Sequence, residues 1–150
     1  MTMIEQPTRL EVRSAAFADY ARMPRWCAFE HDNTPPPLEW DGVPPDAAEL
    51  VLICEGLDAT FVHWVVTGIP PTTTRLDRDT PGVLGSNGSG EIAWGGPHPP
   101  LGRDLHRYDF CLFAADRKLG LDEGATADQA RAGLAGHTLA SGSLVGLYVR

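Results

Sequence analysis

Residues 95–108 read Gly-Gly-Pro-His-Pro-Pro-Leu-Gly-Arg-Asp-Leu-His-Arg-Tyr, a loop stiffened by glycine and proline that runs directly into an apolar segment. The alternating apolar residues of that segment predict a β-strand over residues 106–115. Side chains two positions apart on a strand share a face, so His106 and Tyr108 should share one wall of a pocket. Arg107 should face the other way, where we expect it to form a structural salt bridge.

A second strand, predicted over residues 61–67, carries another histidine. Strict alternation predicts one face made of Phe61, His63, Val65 and Thr67, and an opposite face made of Val62, Trp64 and Val66. A single histidine among apolar neighbours is more often a hydrogen-bonded core residue than a functional group. His63 is therefore a candidate site residue in combination with His106 and Tyr108.

In the rest of the chain, glycines and prolines are spaced as in an all-β domain. Its 16 glycines and 13 prolines separate short apolar runs instead of forming one tract. This distribution is typical of a β-sandwich with long, shaped loops. Further strands are predicted over residues 10–14, 50–54 and 144–149.

One α-helix is predicted near the end of the sequence. It begins at Thr126, where Thr-Ala-Asp-Gln reads as a capping box, and extends to about Leu139. A chain of 150 residues is long enough to bury one core without disulfides or metals. We expect a single domain over residues 1–150, with a flexible N-terminal segment over residues 1–9.

The charge of the chain limits its partners. It has 12 Lys and Arg against 20 Asp and Glu, a formal net charge of -8, and no basic run that could follow a phosphate backbone. Nucleic acid is therefore not an expected partner. No apolar run reaches the ~18 residues of a membrane span, and no export signal is recognisable, so we expect no membrane insertion and a cytoplasmic protein. Three cysteines, an odd number, favour reduced thiols.

Neither a nucleotide site nor a dedicated metal site is indicated. The glycine-rich residues 82–90 lack the closing Gly-Lys-Ser/Thr of a phosphate-binding loop, so we interpret them as a flexible, lid-like loop. The five histidines show no His-x-x-x-His spacing and no paired cysteines accompany them, so we predict no metal and no cofactor. A metal site assembled across strands from His63, His106 and Glu55 stays open as an alternative.

Four motifs, in this order, resemble those of the phosphatidylethanolamine-binding protein family. They are Asn33-Thr-Pro-Pro-Pro-Leu-Glu-Trp-Asp-Gly-Val-Pro44, Val62-His-Trp-Val-Val66, Gly95-Gly-Pro-His-Pro-Pro-Leu-Gly102 and His106-Arg-Tyr108. Their order and spacing are most similar to the bacterial branch, whose members are called Raf kinase inhibitor-like proteins. The resemblance extends from about Val12 to Arg150.

The resemblance implies a mainly β fold, a Greek-key β-sandwich with peripheral short helices, and a small anion-binding pocket near one edge. In the family an Asp-Pro-Asp-Ala-Pro motif supplies the pocket carboxylate. Here Glu55 would replace its first aspartate, and Leu57 or Asp58 its second, depending on where a gap is placed. The implied ligand-binding residues are Glu55, Asp58, His63, Trp94, Gly95, Pro97, His98, His106 and Tyr108.

Three functions are compatible with these residues. The leading hypothesis is a soluble protein that binds a small anionic or polar ligand with the two histidines, the tyrosine and the glutamate. The second is a cofactor-independent cyclase, dehydratase or isomerase of a specialised metabolite, with His63, His106, Glu55 and Tyr108 as catalytic acid and base groups. The third, implied only by the resemblance, is a module that regulates a kinase or another protein. A homodimer is compatible with all three.

Overall fold

Strands dominate the computed structural model, which describes residues 8–79 and 81–150. A single turn of 3-10 helix lies at Arg25–Cys27. The strands and the α-helix, in chain order, are β1 (Thr8–Arg9), β2 (Glu11–Arg13), β3 (Ala21–Arg22), β4 (Leu38–Asp41), β5 (Glu49–Gly56), β6 (Val62–Ile69), β7 (Arg75–Leu76), β8 (Val83–Leu84), β9 (His106–Ala115), α1 (Ala127–Leu134) and β10 (Thr138–Tyr148).

The strands form two sheets. The larger has the order β1-β10-β9-β5-β6-β8, with β3 also paired to β10, and the smaller has the order β2-β4-β7. Strand β10 pairs antiparallel with β9 along one side and parallel with the short strands β1 and β3 along the other. The mainly β, two-sheet architecture expected from the sequence is confirmed.

Two apolar clusters cover the two faces of the larger sheet. The main core includes Trp40 of the smaller sheet and Phe110 of β9, and so fills the space between the sheets. The second cluster joins Ile53 of β5 to Ala130 of α1. Successive residues of a strand point to opposite faces, so Cys54 lies in the main core while its neighbour Ile53 faces the helix. Strand β5 is apolar because both of its faces are covered.

The helix begins where the capping box predicted. The Thr126 hydroxyl accepts a hydrogen bond from the backbone N–H of Gln129, and the Gln129 side chain accepts one from the backbone N–H of Thr126. The predicted end near Leu139 is wrong, because α1 ends at Leu134. Gly136 has a positive φ of 76°, a conformation that terminates helices, and β10 then begins two residues later.

Strand boundaries agree with the sequence pattern most closely at β9, which spans residues 106–115 as predicted. The strand predicted over residues 144–149 is part of the longer β10. Most of the segment predicted to be flexible, residues 1–7, lies outside the described residues. Its last two residues, Thr8–Arg9, pair with β10.

Strand β6 contains a β-bulge at His63. Neighbouring residues of β5 pair with Trp64 and with Val62, which leaves His63 as an extra residue between them. Val62 packs against the helix-side cluster, whereas Trp64 belongs to the main core. The strict alternation predicted over residues 61–67 is therefore wrong, and the bulge is the physical reason.

Two expectations from composition concern the membrane and the cysteines. Within residues 8–79 and 81–150, no helix is both long and apolar enough to cross a bilayer. The three cysteines are unpaired thiols; Cys27 and Cys54 are buried and Cys111 is half-buried.

Candidate ligand-binding site

A cavity of about 450 Å³ opens where β5 ends and where β6 and β9 begin. Its volume lies in the range of small-molecule sites in proteins. Six of the predicted site residues line it, namely Asp58, His63, Gly95, His98, His106 and Tyr108. It is also lined by Phe29, Asn33, Gly56, Ala59, Phe61, Asn87, Ser89, Glu91, Gly96, Pro99, Pro100 and Arg107.

His63 is held in place by the backbone of the glycine-proline loop. Its Nδ1 lies 2.7 Å from the carbonyl oxygen of Gly95. Since a carbonyl oxygen only accepts hydrogen bonds, Nδ1 carries the proton, and Nε2 of the neutral ring is an acceptor. Burial lowers the pKa of His63, and the hydrogen bond to Gly95 offsets part of this effect. The residue is only 5% exposed, and the neutral form of its ring is favoured at neutral pH.

The free nitrogen of His63 faces the cavity. A Cβ built on Gly56, another lining residue, would lie 3.4 Å from Nε2. In the part of the chain that the structure describes, the Thr67 hydroxyl is the one fully buried side-chain polar group without a hydrogen-bond partner. Nε2 of His63 also has no partner there, so it is not fully buried. Because His63 lines the cavity, a ligand in the cavity can reach Nε2.

Aromatic rings surround His63 on the cavity side. Its ring centroid lies 5.0 Å from that of Tyr108, at an interplanar angle of 76°, and 4.9 Å from that of Phe61, at 63°. These are edge-to-face contacts. Burial raises the pKa of Tyr108, so its hydroxyl keeps its proton and can donate a hydrogen bond. His106, on the same strand face as Tyr108, also lines the cavity.

Asp58 and Arg107 form an ion pair at the cavity. Oδ1 of Asp58 accepts from Nη2 of Arg107 at 3.1 Å, and Oδ2 accepts from the Arg107 backbone N–H at 2.6 Å. The side-chain and backbone hydrogen bonds from Arg107 lower the pKa of the Asp58 carboxyl. The structural salt bridge expected for Arg107 is confirmed, although Arg107 also lines the cavity, which alternation does not predict.

Asn87 organises the loop on another side of the cavity. Its Oδ1 accepts from the backbone N–H groups of Ser89 at 2.9 Å and Glu91 at 3.1 Å, and its Nδ2 donates to the carbonyl of Ala93 at 3.0 Å. The side chain is buried, and both the oxygen and the nitrogen of its amide form hydrogen bonds. Asn87 therefore fixes the loop that presents Gly95 to His63.

Gly96 brings the same loop against the residues before β4. Its N–H donates to Oδ1 of Asn33 at 2.7 Å. A Cβ at Gly96 would lie only 2.0 Å from the carbonyl oxygen of Cys27. Glycine is thus required here for the close approach of two backbone segments.

The glycine-rich residues 82–90 run along the edge of β6. The N–H of Gly85 donates to the carbonyl of Val65, and the N–H of Gly88 donates to the carbonyl of Val62, both at 2.8 Å. These bonds attach the segment to β6, and its residues Asn87 and Ser89 form part of the cavity wall.

The expectation that Glu55 points into the pocket is wrong. Its Oε1 accepts a hydrogen bond from Nη2 of Arg131 on α1 at 2.9 Å. Glu55 therefore lies on the helix side of β5, whereas Gly56, one residue later, lines the cavity. Alternation along β5 explains the difference, because Glu55 follows the parity of Ile53, whose side chain packs under the helix. The carboxylates that line the cavity are those of Asp58 and Glu91.

Trp94 and Pro97 were also predicted to bind ligand, and the structure places both behind the cavity wall. Trp94 is a core residue whose Nε1 donates to the carbonyl of Cys27, and its ring stacks on Phe110 at a centroid distance of 5.9 Å. Pro97 is buried, and its carbonyl accepts from the N–H of Phe29. Both residues support the loop whose next member, His98, is exposed to the cavity.

No group of three or more His, Cys, Asp or Glu side chains within residues 8–79 and 81–150 is close enough to hold a metal ion. The alternative that combined His63, His106 and Glu55 fails on geometry, because Glu55 lies across the sheet from the two histidines.

Several lining residues were not identified from the sequence. Asn33 has a positive φ of 51°, a conformation that asparagine adopts more readily than most residues, and its place before Thr-Pro is a usable turn signal. Asn87 within the glycine-rich segment is a similar signal. Phe29 and Phe61 carry no local mark, because only the folded loops bring them to the cavity.

Comparison with known proteins places these features in a family. The family described as phosphatidylethanolamine-binding protein matches residues 13–149. The UPF0098 protein of Methanothermobacter thermautotrophicus is 39% identical over 152 residues, which cover 94% of this chain and 99% of that protein.

Two solved structures have the same fold. A phosphatidylethanolamine-binding protein homologue from Chlamydia trachomatis has a TM-score of 0.88 and 31% identity, covering 95% of this chain and 98% of that one. YbcL of Escherichia coli, described as a new member of the mammalian PEBP family, has a TM-score of 0.86 and 25% identity, covering 97% of this chain and 99% of that one.

Proposed function

Because the chain belongs to the phosphatidylethanolamine-binding protein family, in the branch of YbcL and the UPF0098 proteins, we propose that its cavity binds a small molecule through one oxygen-bearing polar group. That group lies against His63, His106 and Tyr108. The observation that carries the proposal is the fixed orientation of His63, whose Nδ1 is bound to Gly95 and whose Nε2 is open to the cavity.

The hydrogen-bonding groups define what the ligand must offer. Neutral His63 presents an acceptor, and Tyr108 presents a hydroxyl donor beside it. A hydroxyl, a carboxylic acid or a singly protonated phosphate group can donate to the first and accept from the second. An anion without a proton can bind if His63 takes up a proton, because Nε2 then becomes a donor.

The charges favour a ligand with little net charge. Asp58 offsets the positive charge of Arg107 through their ion pair, and Glu91 adds a further carboxylate at the lining. A site for a polyanion would concentrate unpaired positive charge. The cavity is therefore better suited to a monoanion or to a neutral polar group.

Titration with acetate and with phosphate, followed by amide chemical shifts in NMR, tests this function. We expect saturable shifts at residues 56–63 and 95–108, and at least tenfold weaker binding in His63→Gln and His106→Ala. His137→Ala is the matched control, because that imidazole is paired with Asp116 away from the cavity. Equal affinity of the wild type and both cavity variants, or shifts elsewhere only, would exclude the proposed site.

A second candidate, proton transfer during catalysis, is favoured by one observation. A buried neutral imidazole, oriented by a carbonyl and open on its other nitrogen, is the arrangement expected of a general base. Tyr108 would be the proton donor, and Glu55 is removed from the mechanism. A carbonyl compound that binds the cavity should then incorporate deuterium at its α-carbon in D2O with the wild type but not with His63→Gln; equal incorporation by both would eliminate His63 as the base.

A further inference from the structure

Two groups of rings line the cavity. The first, which we call the inner wall, consists of Phe61, His63 and Tyr108, whose rings meet edge to face around His63. The second, which we call the outer wall, consists of Phe29 and His98, whose ring centroids lie 5.2 Å apart at an interplanar angle of 60°. All five side chains line the same cavity.

The size of the cavity exceeds that of a small inorganic ion. Sites of ~300–1,000 Å³ hold ligands of drug-like size, and this cavity measures about 450 Å³. Acetate or phosphate bound at His63 would leave most of the remaining wall in contact with water. Covering apolar wall surface with an apolar part of the ligand is favourable by the hydrophobic effect.

The composition of the walls indicates the shape of that apolar part. Pro99 and Pro100 extend the outer wall, so the cavity is bordered by rings and by stiff backbone. Aromatic rings attract one another in offset and edge-to-face arrangements, and this attraction adds to the free energy gained by burying their surface. A flat ring in the cavity can make such contacts with either wall, whereas a saturated chain of equal size cannot.

We propose, resting on the function proposed above, that the ligand is a small aromatic compound with one hydroxyl or acid group, whose ring packs on the two walls while its polar group reaches Nε2 of His63. The carboxylates of Asp58 and Glu91 at the lining select against further negative groups. The ligand therefore carries at most one negative charge. Phenolic compounds and monocarboxylic aromatic acids are the chemical class that fits.

Matched probes separate the ring from its polar group. We would measure dissociation constants by isothermal titration calorimetry for acetate, cyclohexanecarboxylate and benzoate. Benzoate should bind at least tenfold more tightly than acetate. It should also bind about threefold to tenfold more tightly than cyclohexanecarboxylate, which has the same number of heavy atoms, because ring contacts contribute beyond burial.

Variants of the outer wall identify where the ring lies. Phe29 is 56% exposed, so Phe29→Ala should fold normally and should weaken benzoate binding at least threefold more than it weakens acetate binding. Leu84→Ala is the control, since Leu84 is an exposed apolar residue outside the lining. Phe61→Leu, which keeps apolar volume and removes the ring, should also reduce the preference for benzoate over cyclohexanecarboxylate.

The outcomes distinguish this inference from the function on which it rests. If acetate and phosphate bind through His63 but benzoate has no advantage over cyclohexanecarboxylate, the aromatic ligand is refuted and the polar site stands. If Phe29→Ala and Leu84→Ala weaken benzoate equally, the placement of the ring on the outer wall is refuted. Failure of every probe to bind overturns both proposals.

Discussion

His63 and Gly95 exchange two hydrogen bonds: the Gly95 N–H donates to the His63 carbonyl at 2.9 Å, and Nδ1 of His63 donates to the Gly95 carbonyl at 2.7 Å. The first bond satisfies a backbone carbonyl that the β-bulge removes from the sheet ladder. The second fixes the imidazole to backbone instead of to another side chain. The loop and the bulge therefore position the ring together.

Acid should destabilise the folded protein through His63. Burial lowers its pKa in the folded state, whereas in the unfolded chain the pKa is about 6.5. The unfolded state thus takes up the proton first, so the stability from neutral His63 is complete above about pH 6.5 and is lost as the pH falls through the lower folded pKa. Urea unfolding between pH 8 and pH 5 should show a loss of about 1.4 kcal/mol for each unit by which the pKa is lowered.

The variant His63→Gln should flatten this part of the profile, while His137→Gln should retain it. Parallel profiles for the wild type and His63→Gln would contradict the assignment of the acid loss to His63.

Two carboxylates three residues apart in the sequence, Asp58 and Glu55, should differ in their effect on ligand binding. Asp58→Asn removes the charge that offsets Arg107 at the cavity, so acetate should bind about threefold to tenfold more tightly at low salt and less so at 0.5 M salt. Glu55→Gln makes the same change in net charge on the helix side of the sheet and should leave the affinity within about twofold. Calorimetric titration of both variants with acetate at two salt concentrations measures the difference. An equal change in acetate affinity for both variants would mean that only the net charge of the protein matters and that the position of Asp58 at the cavity does not.

The close approach at Gly96 should make that position intolerant of any side chain. A Cβ would lie 2.0 Å from the Cys27 carbonyl oxygen, so Gly96→Ala must displace the loop and should cost at least about 2 kcal/mol of unfolding free energy. Gly102→Ala is the control, because its nearest heavy atom would lie 4.0 Å away. Chemical denaturation of both proteins makes the comparison, and similar midpoints would contradict the required approach.

Removing the buried hydroxyl of Thr67, which is not hydrogen-bonded, should stabilise the protein. Thr67 is 1% exposed and its Oγ1 has no hydrogen-bond partner in the described chain. Thr67→Val keeps the shape and removes the desolvated hydroxyl, so the free energy of unfolding should rise by about 1 kcal/mol. Thr138→Val should lower the free energy of unfolding, because the Thr138 hydroxyl donates to the Leu134 carbonyl. A lower melting temperature for Thr67→Val than for the wild type would refute the expectation.

Local patterns predicted the elements well where one physical rule dominated. Strand β9 matched its apolar alternation along its whole length, with Tyr108, Phe110 and Leu112 buried in the main core. The capping box predicted the start of α1 because two side chains three positions apart, those of Thr126 and Gln129, hydrogen-bond to backbone N–H groups directly. The family and the two-sheet fold followed from motifs spread over most of the chain.

The site was predicted less completely because it depends on irregular backbone. The bulge at His63 has no sequence mark, and it alters which neighbours of His63 face the core. Glu55 was assigned to the pocket by resemblance, whereas the parity of β5 directs it to Arg131. Trp94 lies next to the correct loop residue, Gly95, yet packs inward. One-residue differences of this kind are decided by tertiary contacts.

The arrangement of β10 also bears on how the chain folds during its synthesis. Residues 138–148 are made after every other described element, yet they join β9 on one side to β1 and β3 on the other. Until the ribosome has released them, β9 is left with an open edge and the short N-terminal strands have no partner in the larger sheet. A nascent chain paused before residue 138 would therefore expose a long apolar strand, which is the state that chaperones recognise and that aggregates.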